Sequence, residues 1–197
     1  KKVMKEWDDN NGISYDCRKY LSQKVFATMA NYNKSISQYL NQVDIDLHDY
    51  NFEKVKSLRY GENPHQKSAI YSYNNSLKLK KLNGKQLSYN NFNDIYAALT
   101  LSKSLPKETG VVIVKHSNPC GVSIIKDKIK CFQSALACDP ISAFGGIVSC
   151  NFQINRSLAL ELSKIFLEVI IANKFDKDAI DILKKKKNLR LIDASDF

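Results

Sequence analysis

Val111-Val112-Ile113-Val114 runs straight into Lys115-His116-Ser117-Asn118-Pro119-Cys120-Gly121. Four β-branched residues in a row after Gly110 have the look of a strand buried on both faces. The polar segment that follows contains Asn-Pro and Gly and is expected to be a turn. In open α/β sheets ligands gather beyond the carboxyl ends of strands, and this segment is expected at such a place. An imidazole there, His116, can take a proton near neutral pH. A neighbouring ammonium, Lys115, can put a fixed positive charge on a developing oxyanion or donate a proton. The plainer alternative, with His116 capping a helix and Lys115 reaching to water, stays open on the chemistry alone.

Outward from this junction the chain alternates. Downstream, Asp127 to Cys138 predicts a helix with Cys131, Phe132, Ala135 and Leu136 on one side. Ile147 to Cys150 predicts a strand, Arg156 to Phe166 a helix, Val169 to Ala172 a strand, Asp176 to Lys186 a helix, and Leu189 to Ile192 a closing strand. Upstream, Asn93 to Leu105 predicts a helix capped by Asn93, with Ile95, Ala98, Leu99 and Ser102 inward, and Ala69 to Tyr71 a strand. Short buried strands alternating with helices argue for an α/β domain, its sheet mostly parallel or mixed and flanked by helices. Residues 14–42 predict one long amphipathic helix or a closely joined pair, started by Ser14, with Leu21, Val25, Met29, Tyr32, Ile36 and Leu40 on one face. The polar, aperiodic stretch 43–57 is expected to be a linker.

Four further polar groups invite a functional question. Arg59-Tyr60-Gly61-Glu62-Asn63-Pro64-His65-Gln66 offers a guanidinium suited to phosphate, yet taken by itself it reads more readily as a surface turn with a stray histidine. In Asp139-Pro140-Ile141-Ser142-Ala143-Phe144-Gly145-Gly146, paired glycines let backbone approach a planar ligand and Phe144 is placed to stack on a ring; a bulge entering a strand is the alternative. Ser88 to Asp94 is largely explained by an ordinary helix cap, and Glu168 by a helix-end carboxylate. A zinc deaminase also uses a Pro-Cys turn, but it needs a second Cys three residues on and an upstream His-x-Glu. Position 123 is Ser and no histidine is followed two residues later by Glu, so that chemistry is excluded, though a related fold is not.

Composition narrows the classes. The 197 residues are 44% hydrophobic and 25% charged, ordinary for a globular protein. No run approaches the roughly 18 apolar residues of a membrane span. Lys1-Lys2-Val3-Met4 opens no secretory h-region, and the absence of an initial Met is read as a piece of something longer. Five cysteines without a CxxC, and three histidines, predict no zinc site and a reducing cytoplasm. The net charge of +10 favours anionic partners. Its lysines are spread along the chain, and the dense run Lys184 to Lys187 reads as a solvated helix end, which weighs against nucleic acid.

Taken in order, Leu58 to Gln66, Gly84 to Asn91, Lys115 to Gly121, Asp139 to Gly146, Glu168 to Ala172 and Lys186 to Leu191 resemble the bifunctional enzymes that combine AICAR transformylase with IMP cyclohydrolase, in their bacterial-type branch. The resemblance implies that residues 58–197 are the first, cytidine-deaminase-like half of the transformylase domain, that 1–42 are the helical tail of the cyclohydrolase domain, and that 43–57 join them. It implies formyl transfer from 10-formyltetrahydrofolate, as cosubstrate, to the AICAR ribotide in purine synthesis. Carried over by residue, His116 takes the proton of the attacking amine and Lys115 assists the intermediate or the departing folate nitrogen. Arg59 and Tyr60 hold the ribotide, with Arg59 on its phosphate. Gly145 beside Phe144 approaches the nucleotide, and Asn91 and Glu168 contact the carboxamide end. No metal is implied in this segment, and neither nucleic acid nor membrane is an expected partner. The family completes its site across a homodimer and from a second half-domain, so this chain is expected to carry site residues without a whole working site. Where relatives often have Pro after Ile-Ile-Ala, this chain has Asn173. A ribotide-binding module without turnover, and a basic nucleic-acid-binding domain, are the rival readings.

Overall fold

In a computed structural model that describes residues 2–40, 52–73 and 77–197, the chain divides into two units, Lys1–Asp49 and Tyr50–Phe197. The first consists, among its described residues, of α1 (Lys2–Asn10) and α2 (Tyr15–Leu40). Ser14 starts α2 as expected, its Oγ accepting from Cys17 N at 3.2 Å. Ser14 N and Oγ in turn donate to Glu6 Oε2 at 3.1 and 2.8 Å, which ties the two helices together. The helix α1 was not expected, because residues 2–10 lack an apolar period long enough to announce one. The last two residues of the expected helix, 41 and 42, lie outside the described residues. Its apolar face is real in sequence but exposed in structure: Val25, Met29, Tyr32, Ile36 and Leu40 are all open to solvent, and Cys17 is buried.

In the second unit β1 (Glu53–Ser57) pairs antiparallel with β2 (Ala69–Ser72) as a two-stranded ribbon. The strand β1 occupies the end of the stretch expected to be linker; residues 43–51 of that stretch lie outside the described residues. Then follow β3 (Lys80–Asn83), α3 (Tyr89–Ser104), β4 (Gly110–Lys115), β5 (Asn118–Ile124), α4 (Lys128–Cys138) and α5 (Pro140–Ala143). β6 (Ile147–Ile154), α6 (Arg156–Ser163), β7 (Val169–Phe175), α7 (Lys177–Leu183) and β8 (Arg190–Asp193) complete the unit. Six strands form one mixed sheet in the order β3-β8-β7-β6-β4-β5. β6, β7 and β8 run parallel, whereas β4 is antiparallel to both of its neighbours and β3 to β8. The α/β class with a mixed sheet flanked by helices is therefore what the chain adopts.

The two-residue period of the strands sorts their side chains into two cores. Val112 and Val114 of β4 join Ile147, Val169, Ile171 and Ile192 under α3, which contributes Ile95, Ala98 and Leu99. Val111 and Ile113 turn to the other face, where Phe132 and Ala135 of α4, Leu158 and Leu162 of α6 and Leu183 of α7 cover them together with Phe152. Each of the buried valine, leucine, isoleucine and phenylalanine side chains contributes about 1.5–3 kcal/mol.

Two expectations need correction. The helix read as Asn93–Leu105 begins at Tyr89, and its cap is Ser88, not Asn93. Ser88 Oγ accepts from Asn91 N at 3.4 Å while Asn91 Oδ1 accepts from Ser88 N at 3.2 Å, a reciprocal box built on Asn rather than Glu. The segment 115–121, expected as one turn, is a hairpin whose turn is just His116 and Ser117, at φ 52° and 60°. Asn118 onward is strand. Pro119 is tolerated there because β5 is an edge strand, where a missing N–H leaves no ladder bond unmade.

Candidate active site

The antiparallel placement of β4 decides where the site lies. Val114 of β4 pairs with Ile147, Ile147 with Val169, and Val169 with Arg190. The carboxyl end of β4 therefore shares one edge of the sheet with the amino ends of β6, β7 and β8. The expected rule, ligands beyond carboxyl ends, holds for the two antiparallel strands β4 and β3, whose carboxyl ends both lie at this edge. Gly145 and Glu168, just ahead of β6 and β7, and Arg190, the first residue of β8, complete the same edge, and the N-terminus of α3 closes it.

A cavity of about 580 Å³ opens there. Seven residues singled out in the sequence line it: Arg59, Tyr60, Asn91, Lys115, His116, Gly145 and Glu168. Phe144 does not. The residue is 59% exposed, its ring lies 5.2 Å from that of Phe166, which does line the cavity, and its carbonyl accepts from Lys115 Nζ at 2.8 Å. The expectation that Phe144 stacks on a ligand ring thus has no cavity-lining position behind it.

Each wall has a local cause. Arg59 and Tyr60 are tied to the start of α3 by backbone bonds, Arg59 N to Leu87 O at 3.3 Å and Tyr89 N to Tyr60 O at 3.2 Å. The Arg59 guanidinium stands 4.6 Å over the Tyr60 ring and donates to the Tyr60 hydroxyl at 2.8 Å, which orders a long side chain before any ligand arrives. The hairpin tip holds His116 and Ser117 in the left-handed region, costly for non-glycine residues. Asp94 offsets that cost: its Oδ1 accepts from Ser117 N at 2.7 Å and Ser117 Oγ at 3.2 Å, and Asn118 Nδ2 donates to His116 O at 2.8 Å. Asp139 caps α5 through Ser142 N at 2.9 Å, and hydrogen bonds from Ser142 hold its carboxyl below the usual carboxylate range. Gly145 leaves α5 at φ 75°, with its N–H on Phe166 O at 2.9 Å, and Gly146 O accepts from Glu168 N at 3.0 Å. A side chain at Gly146 would meet the carbonyls of Val114 and Ala143 at 3.0 and 3.1 Å.

Glu168 accepts at Oε2 from Asn91 Nδ2 at 3.0 Å and from Arg190 Nη1 at 3.4 Å. Arg190 was missed by the sequence reading, which took it as part of an apolar closing strand. It is 6% exposed, and burial lowers its pKa from the ordinary arginine value, with Glu168 opposing the shift and Arg59 adding to it. Asp94 and Ser117 were likewise quoted but assigned no role. The cavity wall carries Arg59, Lys85, Lys115 and Arg190 against Asp94 and Glu168, so cations outnumber carboxylates four to two and an anionic ligand suits it. Among the described residues no group of His, Cys, Asp and Glu could hold a metal ion, and no helix is long and apolar enough to cross a membrane.

Residues 1–197 match the family described as AICARFT/IMPCHase bienzyme. The chain is 42% identical over 200 residues to the bifunctional purine biosynthesis protein PurH of Clostridium perfringens (strain 13 / Type A), covering 97% of this chain and 39% of that protein. Against its Bacillus cereus (strain AH187) counterpart it is 42% identical over 199 residues, covering 96% and 39%. The Clostridium kluyveri (strain NBRC 12016) protein of the same name is 41% identical over 199 residues, covering 98% and 40%. The chain thus spans about two fifths of the length of these relatives. Among solved structures, the apo dCMP deaminase of cyanophage S-TIM5 is 12% identical, with a TM-score of 0.38 over 50% of this chain and 94% of that one, a likeness too slight to carry an argument.

Proposed function

The chain belongs to the AICARFT/IMPCHase bienzyme family, and from that premise we propose that its cavity is the nucleotide side of a formyl-transfer site in purine biosynthesis. The acceptor is the AICAR ribotide and the donor 10-formyltetrahydrofolate. The ribotide phosphate meets Arg59, preordered on Tyr60. The 5-amino nitrogen attacks the formyl carbon, His116 accepts the proton that the amine sheds, and Lys115 faces the oxyanion of the tetrahedral intermediate. Collapse breaks the bond to the folate nitrogen, which takes up a proton as tetrahydrofolate leaves. Asn91 and Glu168 face the carboxamide, and the Gly145 backbone lets the nucleotide come close. The complete protein would add the cyclohydrolase step and would close the site with a second copy of itself; a cytoplasmic setting suits thiols such as Cys131 and Cys150, which stand without a disulfide.

The observation that supports this most is the convergence of seven sequence-named residues from separate segments on one cavity. The test is calorimetric titration of the chain with the ribotide, for the natural protein and for Arg59→Ala. Loss of a charge-assisted phosphate contact is expected to weaken binding at least tenfold, in line with about 1.5–3 kcal/mol for hydrogen bonds to charged groups. No binding by the folded natural chain, or DNA binding with a steep salt slope and no preference for the ribotide, would overturn it.

A further inference from the structure

Glu168 is held from one side only. Both donors that reach it, Asn91 Nδ2 and Arg190 Nη1, fall on Oε2. Among the described residues none reaches Oε1, and the side chain is 44% exposed at the cavity wall. Arg190 is its opposite: the side chain is 7% exposed, and its Nε is buried without a hydrogen-bond partner. Its backbone is fixed as well, Arg190 N donating to Glu168 O at 3.1 Å, with Leu189 and Leu191 buried on either side. A guanidinium that is nearly sealed from water needs its carboxylate, since an unpaired buried charge is strongly unfavourable. The pair is therefore stiff where Arg190 sits and open where Oε1 sits.

We propose that Arg190 is a positioning residue that fixes Glu168 with Oε1 turned to the cavity as a charged acceptor, and so makes the site select a ligand carrying a primary amide over the same ligand carrying a carboxylate. The proposal rests on the ribotide reading of the site. An amide N–H donates to Oε1. A carboxylate in its place brings two negative oxygens together with no proton between them, and the cost grows as the site is desolvated. Without the guanidinium behind it, Glu168 keeps only the Asn91 bond and turns more readily towards solvent, and the repulsion that rejects the acid is relieved.

The experiment titrates the chain calorimetrically with two probes, the imidazole carboxamide ribotide and its carboxylate analogue, for the natural protein, Arg190→Met and Arg190→Lys. The natural chain is expected to prefer the amide by at least tenfold, about 1.4 kcal/mol. In Arg190→Met the preference is expected to fall to within about threefold, with the amide ribotide losing more affinity than its carboxylate analogue or inorganic phosphate; an apolar replacement of a buried ion-pair member is commonly tolerated. Arg190→Lys, which keeps the charge but has no fork to span Glu168, is expected to lose part of the preference, and gives the same comparison should the Met variant melt early. Retention of the full preference in both variants overturns the proposal. So does an equal loss of both ribotides and of phosphate, which would make Arg190 a direct anion contact. A natural chain that binds both ribotides alike sinks the proposal alone, whereas a folded chain that binds neither sinks the ribotide reading with it.

Discussion

The long helix α2 and the strand β4 are both announced by apolar residues at a regular spacing, yet they end in different surroundings. Val25, Met29, Tyr32 and Ile36 on α2 are exposed, whereas Val111 to Val114 on β4 have no accessible surface. Periodicity fixes which element forms, because it sets which side chains share a face. Burial depends on a second surface arriving to cover that face. In the sheet unit each strand face has helices over it, α3 on one side and α4, α6 and α7 on the other. The same kind of pattern therefore carries several kilocalories in one region and little in the other.

That contrast can be broken most directly by truncating one residue of each kind and measuring chemical denaturation. Phe152→Ala, which empties a site 2% exposed, is expected to cost about 3–5 kcal/mol. Met29→Ala is expected to stay within about 0.5 kcal/mol, and a comparable loss there would show that the α2 face is covered in solution. A smaller effect comes from Gly121 on β5, where a Cβ would lie 2.0 Å from the carbonyl oxygen of Ala135. Gly121→Ala must push α4 off the sheet, an overpacking cost of about 1–3 kcal/mol that a thermal melt would read; an unshifted melting temperature would mean that α4 yields freely. The finest comparison uses thiols. Cys17 in the helical unit and Cys150 in the sheet are equally buried, and burial drives the Cys150 thiol far above its ordinary pKa. Native labelling with a thiol reagent, followed by mass spectrometry, is expected to modify exposed Cys138 first, then Cys17, and Cys150 last. Labelling of Cys150 before Cys17 would erase the distinction between the two units.

What the sequence left unread follows from the same physics. Both edge strands of the six-stranded sheet were missed: β3 is Lys80-Lys81-Leu82-Asn83 and β5 begins Asn118-Pro119. Edges carry lysine and proline because these residues discourage pairing with another chain, so an edge strand does not look like a strand. The central strands, buried on both faces, could hardly be mistaken. The candidate site was legible as separate polar segments, and His116, Lys115, Arg59, Tyr60, Asn91, Gly145 and Glu168 do come together. Arg190 was not legible. Its neighbours Leu189, Leu191 and Ile192 present a buried strand, and its tie to Glu168 exists only because β8 lies parallel to β7 with Val169 opposite Arg190. Asp94 was hidden for a similar reason, since a helix residue reveals nothing of the hairpin tip it braces until the fold places them side by side.

The two-residue turn between β4 and β5 is constrained in count as well as in letter. Gly121 and Ser123 face inward along β5, while Val122 and Ile124 face out. One inserted residue at the tip would shift the pairing by a single position and exchange those two sets, setting isoleucine and valine against the close-packed backbone of α4 where Gly121 now fits. Descendants of this gene are therefore expected to keep the length of this turn, while insertions and deletions accumulate elsewhere.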